Sequence, residues 1–322
     1  MAELPREAEQ ALTRLLHLHS GEQPGDAAWE PVAAGASGRC IARCGSCLGI
    51  YWTADRADNN SFLPAAHGLA AHGMHVPEVL AEADYGRGCG ACLVQDLGRQ
   101  DLLSLKSAPA AERTAAYESA FRTLAPLYAL TPDWELQPPF DTALYRWEQG
   151  YFAEHLLGRH LGRDAAAFMA RPEPAAMADW LAALPRVPVH RDCQSQNIML
   201  HGGHAWLIDF QGMRYGRWEY DLASLLYDPY MDLAEAERDR LLQRWLEISG
   251  CRWDAPVFYA CAMQRLMQAL GAFGNIGYNQ GKDWYLQMIE PGMRALRHAA
   301  AHTPAGSPAR PVAQCLLELT QC

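Results

Sequence analysis

The sequence predicts an α+β fold with two lobes, a small lobe of about five strands followed by a larger, mainly helical lobe. Residues 31–98 alternate short apolar runs with glycine-containing turns, which is typical of strands joined by hairpins. From Asp101 onward, apolar residues recur at the 3.6-residue spacing of helices. Two short apolar runs, 187–189 and 205–208, interrupt the helical pattern and have the composition of buried strands.

The chain is expected to divide into a first lobe at 1–98, a second lobe at 99–302, and a linker and tail at 303–322, with a hinge between the lobes near 95–98. In the first lobe, the spacing predicts a packing helix at 5–19 and a second helix at 58–72 that stops at Gly73. In the second lobe it predicts helices at 110–130, 141–160, 163–183, 219–227, 232–248, 255–273 and 282–301, with a short helix at 312–319 in the tail.

Composition excludes several classes of protein. The 322 residues carry a net charge of −10 and no basic cluster, so nucleic acid is not an expected partner. No segment reaches the ~18 consecutive apolar residues of a membrane helix, and the amino terminus lacks the apolar core of a signal peptide. We therefore expect a cytoplasmic protein without a membrane partner.

The chemistry concentrates just after the two central strands. The first is followed by His190, Arg191 and Asp192, with Asn197 five residues further on, and the second runs into Asp209 of an Ile-Asp-Phe turn. This spacing is that of the catalytic loop and metal-binding turn of protein-kinase-like phosphotransferases. Transfer of a phosphoryl group from ATP needs a base beside the acceptor hydroxyl, which predicts Asp192 as the catalytic residue. It also needs oxygen ligands for Mg²⁺, which predicts Asn197 and Asp209.

The spacing after Asp209 favours a small molecule as the acceptor. Protein kinases follow the metal-binding turn with a long segment that docks a peptide. This chain has only about ten residues before a helix begins near Asp221, and Gln194 stands where protein kinases have a lysine. We therefore expect an acceptor bound among the carboxy-terminal helices.

Several longer stretches carry a family resemblance: HRDCQSQNIM, WLIDFQGMRYG, YDLASLLYDPY, GASGRCIAR, LVQDLGRQDL and MQRLMQALGAFGNIGYNQGKDWYLQMI. They are similar to the bacterial aminoglycoside phosphotransferase and choline kinase superfamily. Within it, they most resemble the cell-wall amino-sugar kinases that phosphorylate the anomeric hydroxyl of N-acetylmuramate or N-acetylglucosamine. The resemblance implies a protein-kinase-like fold with an antiparallel first lobe, dependence on ATP and Mg²⁺, and an amino sugar as the small-molecule substrate.

The resemblance also implies positions for the remaining site residues. Ser37, Gly38 and Arg39 belong to the loop at 35–39, which matches the family's phosphate loop, and backbone groups of Gln95 and Leu97 fall where the adenine binds. Glu148 and Arg265 align with polar positions near the acceptor pocket. The alternatives are a solvated helix face for Glu148 and a structural ion pair for Arg265, with Asp221 or another carboxylate.

One departure from the kinase pattern is the missing lysine. The third strand, LGIYW, has none, and residues 1–98 contain no lysine at all. A cation is still needed beside the triphosphate, and Arg39 and Arg43 are the nearest replacements in sequence. If neither arginine reached the phosphates, turnover would be slow or the protein would be a nucleotide-binding sensor.

Two other functions stay open from the sequence. An aminoglycoside or choline-type amino-alcohol kinase would bind a cationic acceptor and should collect carboxylates in its pocket. A non-catalytic, kinase-like nucleotide-binding protein would have no need of Asp192, Asn197 and Asp209 together, which argues against it.

The cysteines raise a separate question. Cys44 and Cys47 form one Cys-X-X-Cys pair and Cys89 and Cys92 another, which together could bind zinc through four thiolates. A kinase-like sheet, with its strands in the order one, two, three, five, four, puts these pairs near opposite ends of the sheet. A five-residue strand spans about 17 Å, and zinc needs its four sulfurs at ~2.3 Å from one point. We therefore expect no shared zinc site.

Overall fold

The first lobe is built on one five-stranded antiparallel sheet. The computed structural model describes residues 4–21, 28–32 and 38–320. The strand order β1-β2-β3-β5-β4 confirms the predicted arrangement. The elements are α1 (Arg6–Ser20), β1 (Glu30–Val32), β2 (Cys40–Cys44), β3 (Cys47–Trp52), α2 (Phe62–Ala71), β4 (Val79–Gly86) and β5 (Cys89–Gln95).

Alternation along β5 explains how this sheet is covered on both faces. Ala91 and Leu93 point to one face, where they pack with Leu12 of α1. Cys92 and Val94 point to the other face and join the main core with α2. The amino-terminal helix therefore closes the outer face of the sheet, and α2 connects the inner face to the second lobe.

The second lobe consists of helices around two small antiparallel ribbons, in which β6 pairs with β9 and β7 pairs with β8. Its elements are α3 (Ala110–Leu127), α4 (Thr142–Phe152), α5 (Ala165–Ala170), α6 (Pro172–Ala183), β6 (Val187–Val189), β7 (Ile198–His201), β8 (His204–Leu207), β9 (Arg214–Gly216), α7 (Trp218–Leu226), α8 (Glu235–Ser249), α9 (Ala255–Gln280), α10 (Ile289–His302) and α11 (Arg310–Leu319). In the described part of the chain, no helix has the length and apolar character needed to cross a bilayer.

Several predicted helices differ from those observed, and the helix predicted at 282–301, for example, is a 3-10 helix over Asp283–Met288 that is followed by α10. The helix predicted at 163–183 is two helices, because Arg171 before Pro172 is extended, as residues before proline tend to be. The helix predicted at 141–160 is α-helical to Phe152 and continues as a π-helix over Ala153–His160. The helix predicted at 255–273 runs on to Gln280, where Gly281 ends it in the left-handed conformation.

The sheet geometry decides the cysteine question. Cys44 and Cys47 flank the β2–β3 turn, and Cys47 is paired with Gln95 at the far end of β5. Cys89 begins β5 at the opposite end, and Cys92 is buried between. Burial raises the pKa of the Cys92 thiol to about 12, so it is not a ready thiolate. The two pairs therefore lie at opposite ends of the sheet, as the predicted strand order requires.

Helix α9 is the centre of the second lobe, and Gly271 lets it approach α4 closely. A Cβ atom at Gly271 would lie 2.8 Å from the carbonyl carbon of Tyr151 and 2.9 Å from the nitrogen of Phe152. Both of these are backbone atoms, so they cannot move away as a flexible side chain could.

We predict that Gly271→Ala destabilises the protein by about 1–3 kcal/mol, because overpacking outweighs the better helix propensity of alanine. Gly150→Ala is the matched control: it lies on α4, and its Cβ would meet only the Met169 side chain at 3.6 Å. Urea unfolding of the two variants measures the effect. A free energy of unfolding for Gly271→Ala at or above that of the parent would contradict the close packing.

Candidate active site

A cleft of about 850 Å³ is lined by residues of both lobes. It brings together five of the residues singled out from the sequence. Arg39 comes from the first lobe, and Asp192, Asn197, Asp209 and Arg265 come from the second. The cleft is therefore the candidate active site, and its geometry follows from how each of these side chains is held.

The loop that carries Asp192 is anchored by a buried carboxylate on α7. Asp221 accepts hydrogen bonds from the backbone N–H groups of His190 at 2.7 Å and Arg191 at 2.8 Å. Arg191 has a φ of +77°, a left-handed conformation that is uncommon for a residue with a side chain. The two bonds to Asp221 hold this turn and present Asp192 to the cleft. Burial raises the pKa of Asp221 to about 6.

Hydrogen bonds join the Asp192 loop to the turn that carries Asp209. The Asn197 Nδ2 donates to the backbone oxygen of Asp192 at 2.8 Å, and the Asn197 carbonyl accepts from the Ile208 N–H at 3.1 Å. His190 Nε2 lies 2.9 Å from the carbonyl oxygen of Ile208 and donates to it. The Asn197 amide nitrogen is thereby directed at the loop, and its side-chain oxygen remains as a possible ligand.

Asp192 is held by arginine. Its Oδ1 accepts from Arg265 Nη2 at 2.9 Å, and Arg191 Nη1 lies 3.8 Å from Oδ2. Arg265 is itself fixed by donating from Nε to the Ser224 hydroxyl at 3.0 Å. Burial alone would raise the pKa of Asp192, but Arg265 and Arg191 outweigh it and leave that pKa lowered. Asp192 is therefore an ionised carboxylate at neutral pH.

Asp209 also has an arginine partner. Arg39 forms an ion pair with Oδ1 of Asp209, and Gln211 Nε2 donates to the same oxygen at 3.0 Å. The Arg39 side chain is only 5% exposed, and its guanidinium lies 5.7 Å from the centre of the Phe62 ring. Asp209 has a φ of +62°, so the turn after β8 is sharp and brings its carboxylate to the cleft near Arg39.

The donor atoms fit a hard divalent cation. Asn197 and Asp209 offer an amide oxygen and a carboxylate in the same cleft, and Mg²⁺ prefers oxygen ligands of these two kinds. Asp209 is 31% exposed, so its carboxylate is accessible from the cleft.

Residues 51–257 match the phosphotransferase enzyme family. The match covers more than half of the chain. The protein belongs to this family. Two relatives are named N-acetylmuramate/N-acetylglucosamine kinase. The one from Pseudomonas aeruginosa is 29% identical, over 77% of this chain and 75% of the relative. The one from Pseudomonas putida is 30% identical, over 70% of this chain and 68% of the relative.

Solved structures share the fold of this phosphotransferase. An aminoglycoside phosphotransferase from Streptomyces rimosus, in complex with ADP and streptomycin, superposes with a TM-score of 0.59 at 19% identity, over 80% of this chain and 98% of the other. A choline/ethanolamine kinase family protein from Mesorhizobium loti superposes with a TM-score of 0.59 at 15% identity, over 98% of both chains. The protein-kinase-like fold predicted from the sequence is confirmed.

The structure separates the two arginines considered as replacements for the missing lysine. Arg39 lies in the cleft, whereas Arg43 forms an ion pair with Asp96 and donates to the Gly98 carbonyl at 3.0 Å. Arg43 does not line the cleft, so the expectation for Arg43 is not supported. Gly38 precedes Arg39 with a φ of +69°, and Ser37 lies outside the described residues.

The predicted hinge residues lie where the lobes meet. The Gln95 N–H donates to the Glu78 carbonyl at 2.8 Å, which completes the edge of the sheet. The Leu97 carbonyl accepts from His201 Nδ1 of β7 at 3.2 Å, a bond that joins the two lobes. The neighbouring Val94 lines the cleft. The contact of Gln95 and Leu97 with adenine stays a prediction.

Glu148 is a correction to the sequence analysis. It is completely buried, so it is not on a solvated helix face, and it does not line the cleft. One carboxylate oxygen accepts from the Tyr220 hydroxyl and the other from Gln264 Nε2, both at 2.9 Å. Burial raises the pKa of Glu148, opposed by these donors and by the charges of Arg191 and Arg265. Glu148 therefore links α4 to α7 and α9 beneath the cleft, through Tyr220 and Gln264.

Sequence reasoning missed two pairs in the cleft. Arg56 and Asp58 form an ion pair there, at the start of the helix predicted at 58–72 and just before it. Trp147 and Tyr151 stack with ring centroids 5.1 Å apart on the cleft side of α4. Their spacing of four residues was the available signal, because it places two aromatic rings on one helix face.

The raised pKa of Asp221 gives a prediction for stability. Its folded value of about 6 lies above the value of 3.8 for an unperturbed carboxyl. A carboxyl with a raised folded pKa stabilises the folded state most when protonated, and this contribution is lost as pH rises through about 6. As the pH rises from about 4 to about 7, the unfolding free energy of the parent should therefore fall by up to about 3 kcal/mol relative to that of Asp221→Asn.

Urea unfolding of parent and variant at several pH values measures this difference. Asp232→Asn, at an exposed position paired with Arg294, is the control for a general effect of removing an aspartate. A parent-to-variant difference that does not change with pH would refute the assignment.

Proposed function

We propose that this phosphotransferase transfers the γ-phosphoryl group of ATP to the anomeric hydroxyl of an N-acetylated amino sugar, such as N-acetylmuramate or N-acetylglucosamine. The observation that carries the proposal is the ionised Asp192, held by Arg265 in the same cleft as Asn197 and Asp209. The substrate class is supported by the names of the two Pseudomonas relatives.

Each residue then has a defined role in the reaction. Asp192 accepts the proton of the acceptor hydroxyl. The hydroxyl oxygen of the acceptor then bonds to the γ-phosphorus, while the bond between that phosphorus and the departing ADP oxygen breaks. Arg265 and Arg191 keep Asp192 ionised beforehand. Asn197 and Asp209 would hold Mg²⁺, which when bound neutralises charge on the phosphates. Arg39 supplies the cation that the first lobe otherwise lacks.

The nucleotide is proposed to lie on the first-lobe side of the cleft. Ile41, Leu48, Ile50 and Val94 line that side with apolar side chains suited to the adenine ring. Backbone groups of Gln95 and Leu97 would complete the adenine site, and Gly38 would bring the loop close to the phosphates. The solved aminoglycoside phosphotransferase of this fold was crystallised with ADP, which supports a nucleotide in the cleft.

The acceptor side of the cleft favours a sugar over a polycation. Four carboxylates and four arginines line the cleft, and three of the carboxylates, those of Asp58, Asp192 and Asp209, are paired with an arginine, whereas the fourth, that of Asp101, accepts from the Ser104 N–H. The cleft therefore offers little uncompensated negative charge to an aminoglycoside or to choline. The stacked Trp147 and Tyr151 provide an aromatic wall of the kind that suits the apolar face of a sugar ring.

A non-catalytic nucleotide sensor is disfavoured by the same geometry. A sensor would not require a base held ionised by two arginines beside the acceptor side of the cleft. The expected cytoplasmic location stays a prediction.

The deciding experiment is a ³¹P-NMR assay with ATP, Mg²⁺ and a panel of acceptors. N-acetylmuramate and N-acetylglucosamine are expected to give ADP and a sugar phosphate whose phosphorus couples to the anomeric proton. Streptomycin and choline are the controls for the two alternative classes. Turnover of either control without turnover of the sugars would replace the proposed acceptor, and nucleotide binding without any turnover would indicate a sensor.

The catalytic role of Asp192 predicts a selective loss. Asp192→Asn should lower kcat by at least about 100-fold, because general-base catalysis is typically worth 10²–10⁴. ATP affinity should stay nearly unchanged, since Asp192 touches the acceptor and not the nucleotide. Steady-state kinetics and calorimetry measure the two quantities. Turnover within a few-fold of the parent would rule out the role.

The metal role of Asp209 predicts the opposite pattern. Asp209→Ala should weaken the binding of Mg²⁺–ATP by at least about tenfold, because it removes the carboxylate proposed as a ligand. Its binding of ATP with EDTA present should change much less. Calorimetry with and without Mg²⁺ measures both, and Asp232→Ala serves as the control. Equal losses in the two conditions would point to a role of Asp209 in folding or in holding Arg39.

A further inference from the structure

A second cluster of ligand-type side chains lies outside the cleft, where the start of α8 meets the end of α10. His298 and His302 are one turn apart on α10, with ring centroids 4.0 Å apart and planes inclined by 17°. Both present Nε2 to Glu235, the first residue of α8. Oε1 of Glu235 lies 3.3 Å from His298 Nε2 and 3.4 Å from His302 Nε2. None of the three residues lines the cleft.

These separations are those of ligands around a tetrahedral metal ion. With bonds of about 2.0–2.1 Å, adjacent ligand atoms of tetrahedral zinc lie about 3.4 Å apart. Both carboxylate-to-nitrogen distances agree with that value, and all three ligand atoms lie within 4.8 Å of one another. Two imidazoles and a carboxylate leave one tetrahedral position for water.

A direct hydrogen bond has a different geometry in this same protein. His67 Nε2 lies 2.7 Å from Glu82 Oε2, the usual length of a charge-assisted bond. His298 Nε2 is buried and makes no hydrogen bond, although Glu235 is close. The Glu235 contacts, at 3.3 and 3.4 Å, are longer than that bond.

The other ring nitrogens are arranged as in metal-binding histidines. His302 Nδ1 lies 2.9 Å from the backbone oxygen of His298, which can only accept, so Nδ1 carries the hydrogen. With Nδ1 carrying a hydrogen, Nε2 is the ring nitrogen of His302 that faces the carboxylate. His298 Nδ1 contacts the Tyr227 hydroxyl at 3.0 Å. Such outer partners typically orient ligating imidazoles.

We propose that Glu235, His298 and His302 bind a divalent transition-metal ion of the zinc class. Imidazole nitrogen favours such ions, whereas Mg²⁺ favours an all-oxygen shell. The ion would join the start of α8 to the end of α10, at a distance from the cleft. Tyr227 follows α7 directly, and its neighbour Asp228 accepts from the Ser195 N–H at 2.8 Å. The proposed metal site therefore contacts, through Tyr227, the segment after α7 whose next residue, Asp228, holds the loop at Ser195.

Zinc titration of the tag-free, EDTA-treated full chain tests the proposal, with excess Mg²⁺ present to occupy the oxygen ligands of the cleft. Calorimetry should show one equivalent of bound Zn²⁺, and Co²⁺ should give the intense visible absorption of a tetrahedral site. Glu235→Gln and His302→Ala should each weaken Zn²⁺ binding at least tenfold. These side chains are 58% and 44% exposed, so both variants are expected to fold, which circular dichroism checks.

His67→Ala is the matched control, because it removes a histidine that faces one carboxylate without a second histidine. It should bind Zn²⁺ as the parent does. Zn²⁺ should also raise the unfolding temperature of the parent and of His67→Ala but not of the other two variants. Absence of stoichiometric binding to the parent would overturn the proposal. If Glu235→Gln and His302→Ala bound Zn²⁺ as tightly as the parent does, other residues would hold the ion, and this result would also overturn the proposal.

Discussion

The active site depends on one buried carboxylate. Asp221 is taken out of water on α7, a costly placement unless its oxygens are well satisfied. Its two oxygens accept from consecutive N–H groups of the catalytic loop, and this pairing compensates part of that cost. The bonds fix Arg191 in a left-handed turn, and this turn determines where Asp192 points. The position of the proposed catalytic base is thus set by a side chain that does not line the cleft.

Helix α9 connects this loop to the interior of the second lobe. Two consecutive residues of the helix face different surroundings. Gln264 points inward, where it donates to Glu148 and accepts from Gln149 Nε2 at 3.1 Å. Arg265 points to the cleft and holds Asp192. A buried polar network of this kind is stable only when its members are satisfied, so it fixes the rotation of α9 and thereby the direction of Arg265.

The sequence predicted the features that depend on local pattern. Short apolar runs between glycine-containing turns predicted the strands, and the spacing of Asp192, Asn197 and Asp209 predicted that they would share a site. Features that depend on contacts between residues far apart in the chain could not be predicted from such local patterns. Glutamate is usually found at the protein surface. Glu148 can be buried because Tyr220 of α7 and Gln264 of α9 donate hydrogen bonds to its carboxylate. The ion pair of Arg265 was anticipated with Asp221 or another carboxylate, and only the structure identifies that carboxylate as Asp192.

Arg39 is the cation proposed in place of the missing lysine, and its geometry differs from that of a lysine. A lysine on the third strand would offer one compact ammonium group, whereas a guanidinium has five donors in a planar fork. Arg39 uses one edge to pair with Asp209, and its buried Nε makes no hydrogen bond. Contact with the Phe62 ring orients the plane of the group. The same side chain therefore joins the first lobe to the turn that carries Asp209, in addition to the phosphate contact proposed for it.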